Sequence, residues 1–159
     1  MTGSRGFTLI ELITVILLIG ILAVAVGGRF MAGGDADVFS ARDALIAHLR
    51  RLQQDAMNQG GGCHQMLLLA DRYGVPDVNP CASGAGFSAG YFSANGVEPY
   101  RSALLASGVR LDVAGAGFDL RFDHLGRPLQ QCAGGCELRL AGAIATAVIV
   151  EAEGYIHAP

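Results

Sequence analysis

The carboxylate of Glu11 has the clearest chemical potential in this sequence, because it lies near the start of a long apolar run. Between Phe7 and Gly28 the only other polar side chains are those of Thr8 and Thr14. A charge inside such a run is costly in lipid and marks a functional position. If the chain is cut just before Phe7, the new ammonium group lies about one helical turn from Glu11. In a bundle of such helices, the ammonium of one subunit would neutralise the carboxylate of another and fix the stagger between them.

A second interpretation of Glu11 is local to the helix. Thr8 and Glu11 have the spacing of a capping box, in which the carboxylate accepts a hydrogen bond from a free backbone N–H group. A carboxylate in the first turn also complements the helix dipole. Both roles are compatible with the sequence. The substitution Glu11→Gln separates them, because it keeps the cap and removes the charge.

Four cysteines form the other set of reactive side chains, and all of them follow the apolar run. They are Cys63, Cys81, Cys132 and Cys136. An even number of cysteines beyond a membrane segment indicates disulfides in an oxidising compartment. Four cysteines allow three connectivities. We favour Cys63 with Cys81 and Cys132 with Cys136, since residues 133–135 (Ala-Gly-Gly) could turn tightly enough to bring the last two together.

The alternative for these cysteines is a metal site. Cys132 and Cys136 could bind zinc together with a histidine such as His64 or His124, although a single Cys-x-x-x-Cys pair is a poor zinc signal. The sequence contains no nucleophile elbow, phosphate loop or dinucleotide fingerprint. We therefore expect no catalytic residues, no metal and no cofactor, and we do not expect an enzyme.

Composition limits the possible partners of the chain. Its 159 residues suffice for one domain besides the apolar run. All 11 basic residues are arginines, and residues 29–159 contain 10 of them against 13 acidic residues, a net charge of −3. This balance argues against nucleic-acid binding. The alternative is a DNA-binding patch on a helix, formed by Arg42, Arg50 and Arg51.

The element that carries Glu11 is a predicted helix over residues 7–28. A helix of that length spans roughly 33 Å, about the thickness of the hydrocarbon core of a bilayer. Residues 1–6 precede it as a short leader, and Arg5 favours a cytoplasmic N-terminus. The prediction is a single membrane pass with the head, residues 29–159, on the other side.

The head is predicted to be α+β, with an amphipathic helix packed on a C-terminal antiparallel β-sheet. This helix covers about residues 37–59, after a break at 33–35, and ends at Gly60. Apolar residues three and four apart form its core stripe, namely Val38, Ala41, Leu45, Leu49, Leu52 and Ala56. About six strands are predicted between residues 63 and 157, at 66–69, 109–113, 118–122, 137–140, 145–152 and 155–157, with a loop at 73–90.

The stretch Gly6-Phe7-Thr8-Leu9-Ile10-Glu11, with the apolar run after it, resembles the N-terminal signal of type IV pilins and pseudopilins. In that family, prepilin peptidase cuts after the glycine and methylates the new amino group. The resemblance therefore implies cleavage between Gly6 and Phe7 and N-methylation of Phe7. It also implies that Glu11 sets the register of subunits in a helical filament.

The same resemblance implies the location and partners of the chain. It places the protein in the bacterial inner membrane with its head in the periplasm, and then in a pilus or pseudopilus. The implied partners are prepilin peptidase, other pilin or pseudopilin subunits, inner-membrane lipid and the inner-membrane assembly platform. In this family, positions matching Gly20 and Gly28 bracket a stretch that can unwind in the filament, although a proline is common where Gly28 stands. The alternative for Gly20 is close packing between helices.

The tail of the sequence resembles the family a second time. Residues 122–128 (Phe-Asp-His-Leu-Gly-Arg-Pro) and 153–157 (Glu-Gly-Tyr-Ile-His) are similar to minor pilins related to the H-type pseudopilin of type II secretion. They are more similar still to the C-type minor pilin of the mannose-sensitive haemagglutinin (MSHA) pilus. The resemblance implies a structural subunit that helps initiate or cap a type IV pilus. The alternatives are a minor pseudopilin of type II secretion and a tip pilin that binds a surface ligand or DNA.

Overall fold

The computed structural model describes residues 9–30, 33–60, 62–93, 102–113 and 117–159. The chain divides into two compact units after Gly33. The first contains helix α1 (Leu9–Phe30). The second, Gly34–Pro159, is called the head from here on, and helix α2 (Gly33–Gln59) begins at its boundary. The described residues of the head form nine strands. The α+β class and the two-helix order predicted from the sequence are confirmed.

Helix α1 has 22 residues and runs without a break through its three glycines. It has no proline, so every residue can take part in the helical hydrogen-bond ladder. Glu11 lies in its first turn, where a carboxylate complements the positive end of the helix dipole.

Helix α2 begins earlier than the sequence predicts. The expected break at residues 33–35 is wrong, because Gly33 and Gly34 form the first turn of α2 and Asp35 complements the dipole there. The glycine at position 34 has a packing role, since a Cβ atom there would lie 2.9 Å from the Cβ of Ala143. The end of α2 is as predicted: Gln59 is its last residue, and Gly60 follows with a φ of 36°.

The predicted apolar stripe of α2 forms the centre of the head. Val38, Leu45, Leu49, Leu52 and Ala56 are buried, and Ala41 packs against them half-buried. They share one core with side chains from both sheets, among them Met66, Leu68, Leu120, Leu138, Leu140 and Val148. The amphipathic helix therefore stabilises the head through apolar burial.

The described strands form two antiparallel sheets, where the sequence predicts one. The five-stranded sheet has the order β3-β2-β1-β5-β6, and the four-stranded sheet has the order β4-β7-β8-β9. Their bounds are β1 Gln65–Leu68, β2 Arg72–Gly74, β3 Ser102–Leu104, β4 Arg110–Leu111, β5 Phe118–Phe122, β6 Pro128–Gln130, β7 Cys136–Ala141, β8 Ala145–Val150 and β9 Ile156–His157.

The expected count of about six strands is also wrong, because β2, β3 and β6 were not predicted. Each has only three residues. So short a segment cannot show a clear alternation of apolar and polar residues, which is the main sequence signal of a strand. Strand β6 also begins with Pro128, a residue that argues against a central strand and is tolerated at a sheet edge.

Candidate assembly segment and head contacts

Apolar side chains cover the described part of helix α1 on every side. The ten large apolar side chains between Leu9 and Ile21 have exposed fractions between 44% and 78%. A helix that is apolar all round is normally buried in a larger core or in a membrane. The surface of this segment therefore requires partners outside its own unit, such as lipid or other apolar helices.

Glu11 is exposed on this apolar surface. Its main-chain oxygen accepts a hydrogen bond of 2.9 Å from the hydroxyl of Thr14, one turn further along α1. Gly6, Phe7 and Thr8 lie outside the described residues. Cleavage before Phe7, its methylation, the capping box and an ammonium partner for Glu11 stay predictions.

The membrane span predicted for residues 7–28 also stays a prediction. Within the part of the chain that the structure describes, no helix combines the length and the apolar character needed to cross a membrane.

The two glycines expected to loosen the helix both lie inside α1. Among the residues that the structure describes, a Cβ atom at Gly20 would meet no other atom within 4 Å. The packing of this subunit therefore gives no steric reason for a glycine at position 20. If glycine is required at position 20, the reason would be a neighbouring helix or local unwinding of α1. Both roles of Gly20 stay predictions, and so does unwinding at Gly28.

The cysteines are joined in the pairing that the sequence analysis favoured. Cys63 is bonded to Cys81, and Cys132 is bonded to Cys136. Sulfur atoms in a disulfide have no thiolate to offer to zinc. Among the described residues, no group of three or more histidine, cysteine or acidic side chains could hold a metal ion.

The three arginines considered as a DNA-binding patch are each engaged within the head. Arg42 pairs with Asp43 at 2.8 Å, and Arg51 pairs with Asp55 at 3.3 Å. Arg50 donates a 2.7 Å hydrogen bond to the main-chain oxygen of Ile156 on β9. The carboxylates of Asp43 and Asp55 offset the charges of Arg42 and Arg51, and the bond to Ile156 directs Arg50 towards β9, so these contacts do not favour the DNA alternative.

Gln53 joins the two tail motifs to helix α2. Its side-chain amide donates two hydrogen bonds of 2.7 Å, one to the main-chain oxygen of Gly126 and one to that of Gly154. These glycines belong to the stretches 122–128 and 153–157, which are distant in sequence. We call this arrangement the Gln53 contact. It fixes one turn from each sheet against the same point of α2.

Both glycines of the Gln53 contact are required by backbone geometry and by space. Gly126 has a φ of 80° and Gly154 a φ of 93°, conformations that side chains rarely adopt. A Cβ atom at Gly154 would overlap the main-chain oxygen of Gly126, and one at Gly126 would lie 3.0 Å from the sulfur of Met57. The glycines of the two tail motifs therefore have a structural role.

The turn that contains Gly126 is held by Asp123. One carboxylate oxygen accepts hydrogen bonds from the main-chain N–H groups of Leu125 (2.9 Å) and Arg127 (2.8 Å), and the other accepts one from the Arg127 side chain (2.9 Å). Burial acts to raise the pKa of Asp123, but these hydrogen bonds and the nearby guanidinium outweigh it and lower the pKa. The turn is therefore most stable with Asp123 ionised.

Glu151 and His157 flank the turn that contains Gly154 and form an ion pair when the histidine is protonated. His157 lies 3.2 Å from Glu151 through its Nε2 atom, and its Nδ1 atom is 2.7 Å from the main-chain oxygen of Ala158. The hydrogen bond to the Ala158 carbonyl and the one to Glu151 both favour the protonated ring and raise the pKa of His157.

Three polar residues that organise the head were missed by the sequence analysis. They are Gln53, Gln65 and Arg121. Gln65 is buried and accepts a 2.6 Å hydrogen bond from the N–H group of Cys81, while Arg121 donates a 3.1 Å bond to the Cys81 carbonyl and pairs with Asp119. A buried glutamine inside a strand has no sequence pattern of its own, so only the structure identifies these contacts.

Comparisons with known proteins agree with this geometry. Residues 1–27 match the family model of the prokaryotic N-terminal methylation motif. None of the curated proteins compared with the chain matches it. The chain is similar in structure to the type IV minor pilin FimU of Pseudomonas aeruginosa, strain PAO1, in two crystal forms. The TM-scores are 0.53 and 0.50 at 13% identity, with 79% and 76% of this chain and 90% of FimU covered. The chain therefore combines an N-terminal methylation motif with the fold of a type IV minor pilin.

Proposed function

We propose that this chain is a minor pilin, a structural subunit that helps initiate or cap the assembly of a type IV pilus similar to the MSHA pilus. Prepilin peptidase removes residues 1–6 and methylates Phe7. Helix α1 then packs with the helices of neighbouring subunits in the filament core, and Glu11 sets their register. The head is displayed in the periplasm and later on the filament.

One observation carries this proposal: the methylation motif and a FimU-like head occur in the same chain. The motif alone is compatible with many heads, and the fold alone with many functions. The exposed apolar surface of α1 supports the proposal, because such a surface needs a helix bundle or lipid around it. The MSHA-like assignment rests on the tail motifs at 122–128 and 153–157.

The test is the N-terminus of the protein extracted from membranes of cells with and without prepilin peptidase. We expect the chain to begin at N-methyl-phenylalanine 7 only when the peptidase is present, as measured by N-terminal sequencing and intact mass. The variant Gly6→Val should block cleavage, whereas the matched control Gly3→Val, in the same leader, should be cleaved. A chain that keeps residues 1–6, or that is cut after the helix, would refute the proposal.

The role in assembly is tested by deletion. We expect loss of the protein to reduce the number of surface filaments, because an initiating or capping subunit is needed once for each filament. Normal filaments together with lost secretion would favour the type II secretion alternative. Normal filaments together with lost adhesion would favour a tip-binding role.

A further inference from the structure

The two disulfides of the head differ in their access to solvent. Cys63 is exposed and Cys81 is half-buried. Cys132, in contrast, is completely buried and belongs to the central core, with Cys136 packed against that core half-buried. Thiol–disulfide exchange requires a thiolate to reach a sulfur atom, so access controls the rate. The difference in exposure alone predicts unequal reactivity.

The Cys63–Cys81 bond also borders an open cleft. The cleft has a volume of about 460 Å³, and its lining includes Cys63, His64 and, from α2, His48, Arg51 and Gln59. Its lining is mainly polar, and Arg51 supplies a cationic group in the same space as the carboxylate of Asp55. A small hydrophilic thiol can therefore approach Cys63 without displacing part of the core.

The backbone around Cys81 is held by contacts that do not depend on the disulfide. Its N–H group is bonded to the buried Gln65 side chain at 2.6 Å, and its carbonyl to Arg121 at 3.1 Å. On either side of Cys81 in the same loop, Val78 and Gly86 form an antiparallel bridge. These contacts would keep the loop in place after the sulfur–sulfur bond opens. Reduction of Cys63–Cys81 therefore does not require the head to unfold.

We propose that Cys63–Cys81 is a thiol-exchange site of the folded head that accepts small dithiols, and that Cys132–Cys136 is closed to them until the head unfolds. A thiolate of the dithiol bonds to the sulfur of Cys63, the Cys63–Cys81 bond breaks, and Cys81 leaves as a thiolate that takes up a proton. The second thiol of the reagent loses a proton and closes a disulfide within the reagent, which releases Cys63 as a thiolate. The protein disulfide is reduced by two electrons and the dithiol is oxidised by two.

The sequence allows the two bonds to be followed separately in the full chain. Trypsin should place Cys63 in the peptide 52–72 and Cys81 in the peptide 73–101, whereas Cys132 and Cys136 share the peptide 122–139 because the Arg127–Pro128 bond resists cleavage. The protein in detergent is treated with dithiothreitol, quenched with N-ethylmaleimide at set times and digested. Mass spectrometry then gives a reduction rate for each disulfide.

We expect Cys63–Cys81 to be reduced at least about a hundredfold faster, because Cys132 is completely buried and the half-buried Cys136 packs against the core, so that attack on their bond requires the head to open. Low concentrations of urea should accelerate only the reduction of Cys132–Cys136. The proposal would be overturned if both disulfides were reduced at the same rate or if Cys132–Cys136 were reduced faster. It would also be overturned if the reduction rate of Cys63–Cys81 rose with urea in parallel with global unfolding. The double variant Cys63→Ser, Cys81→Ser is the control and should lack the fast phase, and the slow phase must remain for the assignment to hold.

Discussion

Replacing Gln53 with alanine tests the contact that joins the two tail motifs. The substitution removes both 2.7 Å hydrogen bonds and leaves the oxygens of two buried residues, Gly126 and Gly154, without this donor. A typical hydrogen bond contributes about 0.5–1.5 kcal/mol net, and an unsatisfied buried acceptor costs more. We expect Gln53→Ala to lower the free energy of unfolding by about 1–3 kcal/mol, or Tm by about 3–10 °C in a domain of this size.

The near-isosteric variant Gln53→Glu gives a sharper test of the same contact. An ionised carboxylate has no N–H group to donate and would face two main-chain oxygens at the distance of a hydrogen bond. At pH 7 we expect Glu to destabilise the head at least as much as Ala. Protonation of the new carboxylate at position 53 would restore one hydrogen-bond donor. The difference in the free energy of unfolding between Gln53→Glu and the wild-type protein, measured at the same pH, should therefore decrease as the pH falls.

Urea unfolding of the full chain in detergent, followed by far-UV circular dichroism, measures both variants. The control is Gln54→Ala, because Gln54 is the next residue of α2 and is exposed. We expect the control to change stability by less than about 0.5 kcal/mol. The reasoning would be refuted if Gln53→Ala behaved like the control, or if Gln53→Glu at pH 7 were more stable than Gln53→Ala.

Three further predictions concern a charge, a glycine and a histidine. Glu11→Gln should leave the helix content of the protein unchanged by circular dichroism and greatly reduce its recovery in sheared filaments; normal recovery would favour the capping role alone. Gly154→Ala should lower the free energy of unfolding by at least about 2 kcal/mol, because the new side chain would have an unfavourable φ and would overlap a main-chain oxygen. The control Gly134→Ala should be nearly neutral in the same urea assay, because no described atom lies within 4 Å of the added Cβ. Because the pKa of His157 is raised in the folded protein, protonated His157 stabilises the fold at pH values below its pKa in the unfolded chain, about 6.5. This stabilisation is lost as the pH rises through the higher pKa of the folded state. His157→Gln should remove that part of the pH dependence of Tm, and an unchanged pH profile would contradict this role of His157.

The sequence predicted those elements that have a long periodic pattern of apolar residues or a clear terminating residue. The stripe of α2 repeats over five turns, and Gly60 provides a clear stop, so the helix and its end were predictable. Strands β5 and β7 alternate over five and six residues and were predicted within a residue of their bounds. The start of α2 was missed because two glycines usually break a helix, whereas here Gly34 allows close packing against Ala143.

The candidate sites were predictable from the sequence where their residues are close in the chain, and not where the residues are far apart. The residues of the Glu11 motif are close in sequence, and Cys132 and Cys136 are four positions apart, so spacing suggested their chemistry. Cys63 and Cys81, 18 positions apart, were the pair that remained. The Gln53 contact joins residues that are 73 and 101 positions apart. The periodicity of a sequence cannot predict a contact of that kind, because the contact depends on how two sheets are placed against one helix. The glycines were visible as turn residues, but their partner was not.

The Gln53 contact also changes what the tail motifs indicate. If Gly126 and Gly154 are required by packing, then any head built on this contact needs them, whichever filament it enters. Selectivity between filaments is then expected from exposed neighbours in the same motifs, and Leu125 and Tyr155 are 59% and 64% exposed. The double variant Leu125→Ser, Tyr155→Ser should leave the urea midpoint almost unchanged and alter which filament subunits co-purify with the protein. A large loss of stability with unchanged partners would instead place these side chains in the structural core of the motif.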